Sequence, residues 1–205
     1  MHIELTEMLR CPEPHADGFI VLSTGEMLGR MIRSGIAGCS ICHREYVIKD
    51  GVVDFEGGMG KGDRGMVPPF PISHSPVPDA ATLQALLDLS GPGGYVVLIG
   101  AAARHASGLA ALMGGVHFVG VNAPPDVDEL PVLSLVRSAA VIPLRQTIAR
   151  GVVVGADMAH APWLAEARRV LLPGRRWVVE SENVELPEGI SKLAAGQGLS
   201  VGEKR

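Results

Sequence analysis

The sequence predicts an α/β protein, with a doubly wound, mostly parallel sheet of the Rossmann type preceded by a small cysteine-bearing α+β module. Three observations carry this. Residues 80–205 alternate short apolar runs with amphipathic segments, the rhythm of strands buried on both faces and helices covering them. All three cysteines fall within residues 1–56. Between the two parts, residues 57–79 (GGMGKGDRGMVPPFPISHSPVPD) are dense in Gly and Pro, a composition that reads as an extended linker. Phe70 and Ile72 within it suggest a segment lying along a surface.

The elements of the larger part follow in order. Leu83, Leu86 and Leu87 recur at helical spacing and predict a helix over Ala80–Leu89. Continuous apolar runs predict strands at Tyr95–Ile99, Val116–Val121, Ala139–Ile142, Val152–Gly155 and Arg176–Glu180, with a short one at Leu199–Val201. Helices are expected at Ala106–Met113, Val127–Val136 and Pro162–Leu172, and a weaker one at Pro187–Ala195. Pro173-Gly174 should stop the third of these and turn the chain into the next strand. Only one helix and one short strand fit after Ser181, which would leave a sheet edge without its last strand.

In the first part, Cys39 and Cys42 form a C-x-x-C knuckle, and Cys11 lies four residues before His15. Three thiolates and an imidazole suit tetrahedral zinc, whose binding energy becomes folding energy in a module too small to bury its own core. His43 is a rival fourth ligand, and a metal-free, buried-thiol core is the competing reading. A redox role for the C-x-x-C lacks the surrounding βαβ frame. Apolar runs FIVLS and YVIKDGVVDF flank the knuckles, and Lys49-Asp50-Gly51 is a hairpin signal. The stretches LTEMLRCP (Leu5–Pro12) and CSICHREYVIKDGVVDF (Cys39–Phe55) resemble the small zinc-ribbon family that includes the activator subunit of tRNA and translation-factor methyltransferases. The resemblance implies structural zinc held by Cys11, His15, Cys39 and Cys42. The first knuckle departs from the family pattern: Pro14 stands at its second cysteine position, and His15 comes one residue late.

YVVLIGAAARHASGLAALM, VHFVGVNAPP and ARGVVVGADMAHAPWLAEARRVLLPGRRWVVES resemble class I S-adenosylmethionine-dependent methyltransferases in order and spacing. That family places an acid and three glycines in its first loop, where small residues let backbone approach the ligand. Aligned on Gly100, this chain has Leu98 at the acid, Ala102 at the second glycine and Arg104 at the third. Arg104 is expected to project toward the methionine part of the ligand. Asn122 stands where the family uses an acid for the ribose hydroxyls, and an amide offers one acceptor oxygen where a carboxylate offers two. Gly100, Ala102, Arg104 and Asn122 therefore read as a vestigial cofactor site that makes S-adenosylmethionine an unexpected ligand. An altered pocket with Arg104 or His105 on an anion is a second reading.

Catalytic candidates are thin. Asp157 and His160 follow the fourth strand, but His160 reads as a loop or core residue and Trp163 as packed against its helix; Glu180 and Glu182 read as solvated. The chain carries a net charge of −4, all of it within residues 1–56, and a mean hydropathy of +0.26. No basic face for nucleic acid is visible, the local cluster of Arg168, Arg169, Arg175 and Arg176 reading as a solvated helix end and turn. No apolar run is long enough for a membrane span, and the N-terminus lacks a signal-peptide pattern, so a cytoplasmic location is expected. The expected function is a non-catalytic, methyltransferase-like binding or scaffolding subunit with a protein partner or as a homodimer. The alternative is an active methyltransferase with a built-in ribbon activator.

Overall fold

In the computed structural model, residues 1–58 and 78–205 are described; the linker expected at 57–79, with Phe70 and Ile72, lies almost wholly outside them. The chain opens with a 3-10 segment, Ile3–Met8, and continues through strands β1 (Ile20–Thr24), β2 (Met27–Leu28), β3 (Met31–Ile32), β4 (Gly35–Cys39), β5 (Glu45–Lys49) and β6 (Val52–Gly58). Asp50 and Gly51, both with positive φ, make the β5–β6 turn, as the Lys-Asp-Gly signal predicts. Helix α1 (Ala80–Leu87) is capped by the Asp79 carboxylate, which accepts from the Thr82 amide at 2.6 Å. Then come β7 (Tyr95–Ile99), α2 (Ala106–Leu112), β8 (His117–Val121), β9 (Leu133–Arg137), β10 (Ala149–Val154), α3 (Ala161–Val170), β11 (Leu171–Val179), β12 (Ile190–Gly196) and β13 (Leu199–Lys204).

Eleven strands form one sheet in the order β1-β4-β5-β6-β9-β8-β7-β10-β11-β13-β12. From β6 to β11 every neighbour is parallel, and strand order reverses at β7/β10, the Rossmann-like doubly wound arrangement. The strands of the cysteine module are antiparallel to one another. They join the parallel part where β6 lies beside β9, with Val52, Val53 and Asp54 opposite Leu135, Val136 and Arg137.

Alternation of side chains along the central strands sends Val96, Leu98, Phe118 and Val153 to one face, covered by α1 and α2 through Leu83, Leu87, Ala106 and Leu109. Val97, Val119, Val136 and Val152 face the other way, toward α3 (Trp163, Leu164, Val170) and toward Leu5, Leu9, Tyr46 and Ile48 of the first 56 residues. The N-terminal segment therefore stands where a crossover helix between β9 and β10 would be. Its backbone runs along that crossover: Arg10 N–H donates to the Pro143 carbonyl at 3.1 Å, and Arg145 N–H to that of Met8 at 2.8 Å.

Five expectations are corrected. Val127–Val136 is not a helix; Pro131 would remove an interior hydrogen bond and clash with the preceding turn, and β9 begins at Leu133. The strand expected at Ala139–Ile142 is a loop, held from α3. There Glu166 accepts the Ile142 amide at 2.8 Å, and Arg169 donates to the carbonyls of Ile142 and Leu144 at 2.7 and 2.8 Å. Pro187–Ala195 is not a helix either: β12 pairs with β13 across Gln197-Gly198, both at positive φ, a two-residue hairpin signature that overrides local propensity. The antiparallel terminal hairpin is thus complete, and no strand is missing. Helix α3 ends at Val170, and Pro173-Gly174 lies within β11. No helix among the described residues is long and apolar enough to cross a membrane.

Candidate functional site

Two places in the fold concentrate chemistry. The first is the cysteine cluster. Cys11 follows the opening 3-10 segment, Cys39 ends β4, and Cys42 lies on the turn between β4 and β5. The Cys11 and Cys42 sulfurs are 3.7 Å apart, and Cys39 Sγ lies 3.4 Å from His15 Nε2. All four donor atoms fall within 4.8 Å of one another, a group that could hold a metal ion. Zinc–sulfur bonds of about 2.3 Å and zinc–nitrogen bonds of about 2.0–2.1 Å require tetrahedral edges of about 3.5–3.8 Å; the donor types fit, the 3.7 and 3.4 Å contacts lie close to such edges, and any wider pair, at most 4.8 Å apart, would close on the ion. The three thiols are free, and 3.7 Å is far beyond a disulfide bond. His15, not His43, stands with the thiols; His43 is exposed on the turn with a positive φ.

The surroundings divide the thiols. Burial pushes the Cys11 thiol up to about 11, and it lies 3.1 Å from the Tyr46 hydroxyl. Burial also acts to raise Cys39, but the backbone N–H groups of Cys42 and Ile41 outweigh it and bring this thiol down to about 7. A hydrogen bond with the Ala16 carbonyl leads the causes that raise His15. Cys11 and Cys39 are buried in the cluster and Cys42 is exposed at its surface.

The second place is the crevice at the carboxyl ends of β7 and β10, the switch point where doubly wound sheets bind ligands. Gly100, φ +62°, begins the loop after β7. A Cβ there would meet the Asp157 carboxylate oxygens at 2.6 Å and Met158 Cγ at 2.5 Å, and only glycine fits. Asp157 comes from the loop after β10. Both its oxygens accept from the Ala101 N–H, at 3.0 and 3.1 Å. The Ala101 amide is therefore satisfied by the chain's own carboxylate. Ala102 and Ala103 are fully buried against α2.

The remaining crevice residues are likewise partnered. Asn122, φ +53°, receives the Ser138 N–H on Oδ1 at 2.9 Å and donates from Nδ2 to the Ser138 carbonyl at 2.8 Å. Its amide thereby continues the β8–β9 ladder by one rung, a task needing both a donor and an acceptor. Arg104 is exposed and forms a two-point pair with Asp126, at 2.9 and 3.1 Å, which holds its guanidinium above, and the Asp126 carboxyl below, their ordinary values. His105 Nε2 lies 2.7 Å from Glu180 Oε1, with side chains only 9% and 14% exposed, so Glu180 is a buried partner and not solvated. His160 is exposed at the start of α3, and Trp163 is packed into the core. The cavity left beside Arg104 and Asp126 measures about 180 Å³, below the ~300–1,000 Å³ of pockets enclosing drug-sized ligands.

Sequence reasoning identified Gly100, Ala102 and Asn122 as loop and strand-end residues but missed their partners. An aspartate three residues past Val154, the end of β10, was the available signal for Asp157. Nothing local marks the Asn122–Ser138 or His105–Glu180 pairs. One consequence is testable. Asn122→Asp restores the acid of the methyltransferase pattern, yet it sets a carboxylate against the buried Ser138 carbonyl and deletes a donor. It is expected to cost about 1–3 kcal/mol, a fall of about 3–10 °C in the thermal midpoint, measurable by calorimetric unfolding at neutral pH.

No family model matches the chain, and no curated protein matches it. Solved structures similar to it are methyltransferases. They include a complex of the Haloferax volcanii Trm112 methyltransferase activator with a methyltransferase, 19% identical with a TM-score of 0.39, covering 49% of this chain and 50% of that one. The antibiotic-resistance methyltransferase Kmr is 16% identical, TM-score 0.43, covering 62% and 93%. A SAM-dependent methyltransferase from Aquifex aeolicus is 14% identical, TM-score 0.45, covering 62% and 88%. The chain spans about half the length of the first of these.

Proposed function

We propose that this chain is a methyltransferase-like protein without a working cofactor site. In this reading it serves as a binding or scaffolding subunit, with residues 1–56 as a built-in zinc-stabilised ribbon and residues 80–205 as the methyltransferase-like unit. Cys11, His15, Cys39 and Cys42 hold the zinc. Four protein donors leave no open coordination position, so the metal's part is structural.

The observation that carries the reading is the Asp157 carboxylate seated on Ala101 N–H over Gly100. A ligand would have to displace a carboxylate already satisfied in a partly buried place, and it would find Asn122 committed to Ser138. Losing such hydrogen bonds costs about 1–3 kcal/mol apiece, enough to weaken binding by one to two orders of magnitude or more.

Titration calorimetry with S-adenosylmethionine and its demethylated product tests this on the full chain. No heat of binding is expected at micromolar concentrations. Micromolar affinity for either nucleoside would overturn the proposal and favour the alternative, an active methyltransferase with its ribbon activator in cis.

A further inference from the structure

The two edges of the eleven-stranded sheet differ. At one end, β12 carries Lys192 and a break in register between Lys192 and Ala194, devices that keep an edge from pairing with another chain. At the other end, β1 reads Ile-Val-Leu-Ser-Thr, with no charge, no proline and no bulge. It is the last strand in the sheet order, paired only with β4 among the described residues. Of the nine large apolar side chains exposed there, seven lie between positions 19 and 47. Phe19 and Val21 are 70% and 61% exposed, and Ile36 and Val47 continue the stripe across β4 and β5.

The hydrogen-bond pattern of β1 says which groups are free. Ser40 N–H donates to the Phe19 carbonyl, and Gly25 N–H to that of Ser34. With Ile20 opposite Cys39 and the register unbroken, the odd-numbered residues of β1 bond to β4. Antiparallel alternation then turns the N–H and C=O of Ile20, Leu22 and Thr24 toward the open edge.

We propose that this edge is the interface of a homodimer, in which β1 pairs antiparallel with β1 of a second copy across a two-fold axis at Leu22. The proposal rests on the reading of the chain as a binding subunit and names its surface. The free groups are compatible with their own image. Leu22 meets Leu22, and Ile20 of each copy meets Thr24 of the other, so every edge N–H finds a carbonyl. On the outward face Val21 of one copy stands opposite Ser23 of the other, and the apolar stripe becomes continuous. Two copies meet here without opposing charges, although each module is acidic as a whole, because β1 itself is uncharged.

The register gives a specific test by sedimentation equilibrium of the full chain across a concentration series. The parent is expected to approach twice the chain mass of 21.5 kDa. Val21→Lys with Ser23→Lys, both at exposed positions, places like charges opposite each other twice and is expected to raise the dimer dissociation constant about tenfold or more. Val21→Lys with Ser23→Glu places opposite charges there and is expected to restore association. A parent monomeric at every concentration overturns the proposal, whether the edge is then covered by residues 59–77 or by another protein. A double-lysine variant as dimeric as the parent overturns it as well. Nucleoside calorimetry reads the cofactor site and not the edge, so the two proposals fail separately.

Discussion

Removal of zinc by chelation, or replacement of a donor by Cys39→Ser, is expected to lower the midpoint of thermal unfolding by about 10–20 °C. In isolated zinc modules the ion supplies about 10–16 kcal/mol and the apo form is unfolded. Here the module has further support, since Ile20, Tyr46, Ile48 and Val53 belong to the same core as Val97, Val119 and Val152, and β6 is paired with β9. Part of the metal's contribution therefore appears as lost stability, about 5 kcal/mol, with each kcal/mol worth about 2–4 °C in a chain of this size. The donors tie together three segments: the chain after the 3-10 turn, the end of β4 and the following turn. Cys11 and Cys39 are buried, and without an ion the cluster leaves two thiols and a tyrosine hydroxyl facing one another in a part-buried space. Metal analysis of protein purified without chelator should give one zinc per chain. An unchanged midpoint after chelation, with less than one zinc found, would end the structural-zinc reading.

Val53→Asp is expected to cost about 4 kcal/mol or more and to lower the midpoint by about 8–16 °C. Val53 is fully buried, opposite Ile48 in β5 and Val136 in β9, at the seam where the cysteine module joins the parallel strands. A carboxylate there would sit between Ile48 and Val136, which offer neither charge nor side-chain hydrogen bond, and would be desolvated. Leu193→Asp on the exposed edge strand β12, 49% exposed, is the control, expected within about 0.5 kcal/mol of the parent. Comparable loss in both variants would mean that the β6–β9 seam contributes little. Selective loss at Val53 would show that the first 58 residues and the Rossmann-like part unfold as one body.

Local signals were legible wherever the physics is local. The C-x-x-C at Cys39 and Cys42 is a matter of spacing along the chain. The runs Tyr95–Ile99 and Val152–Val154 are apolar throughout because both of their faces are covered. Lys49-Asp50-Gly51 turns because two residues in succession accept positive φ. Gln197-Gly198 obeys the same rule, and the weak helical pattern of Pro187–Ala195 before it yields to the hairpin. The Val127–Val136 helix failed at Pro131, which the apolar spacing around it concealed.

The sequence by itself determined much of the alternation of strand and helix, the C-x-x-C pair of Cys39 and Cys42, and the alanine and arginine at positions 102 and 104 after Gly100, each set by residues a few positions apart. Only the tertiary structure decided what became of the crevice and where the module docks. Asp157 reaches Ala101 across 56 residues, His105 meets Glu180 across 75, and Asn122 pairs with Ser138 across 16. The β6 strand chose the β9 edge because an unpaired backbone and an uncovered apolar face lay there together. Such choices depend on which groups folding brings face to face, and a polar group's partner leaves no mark on the residues beside it in the chain.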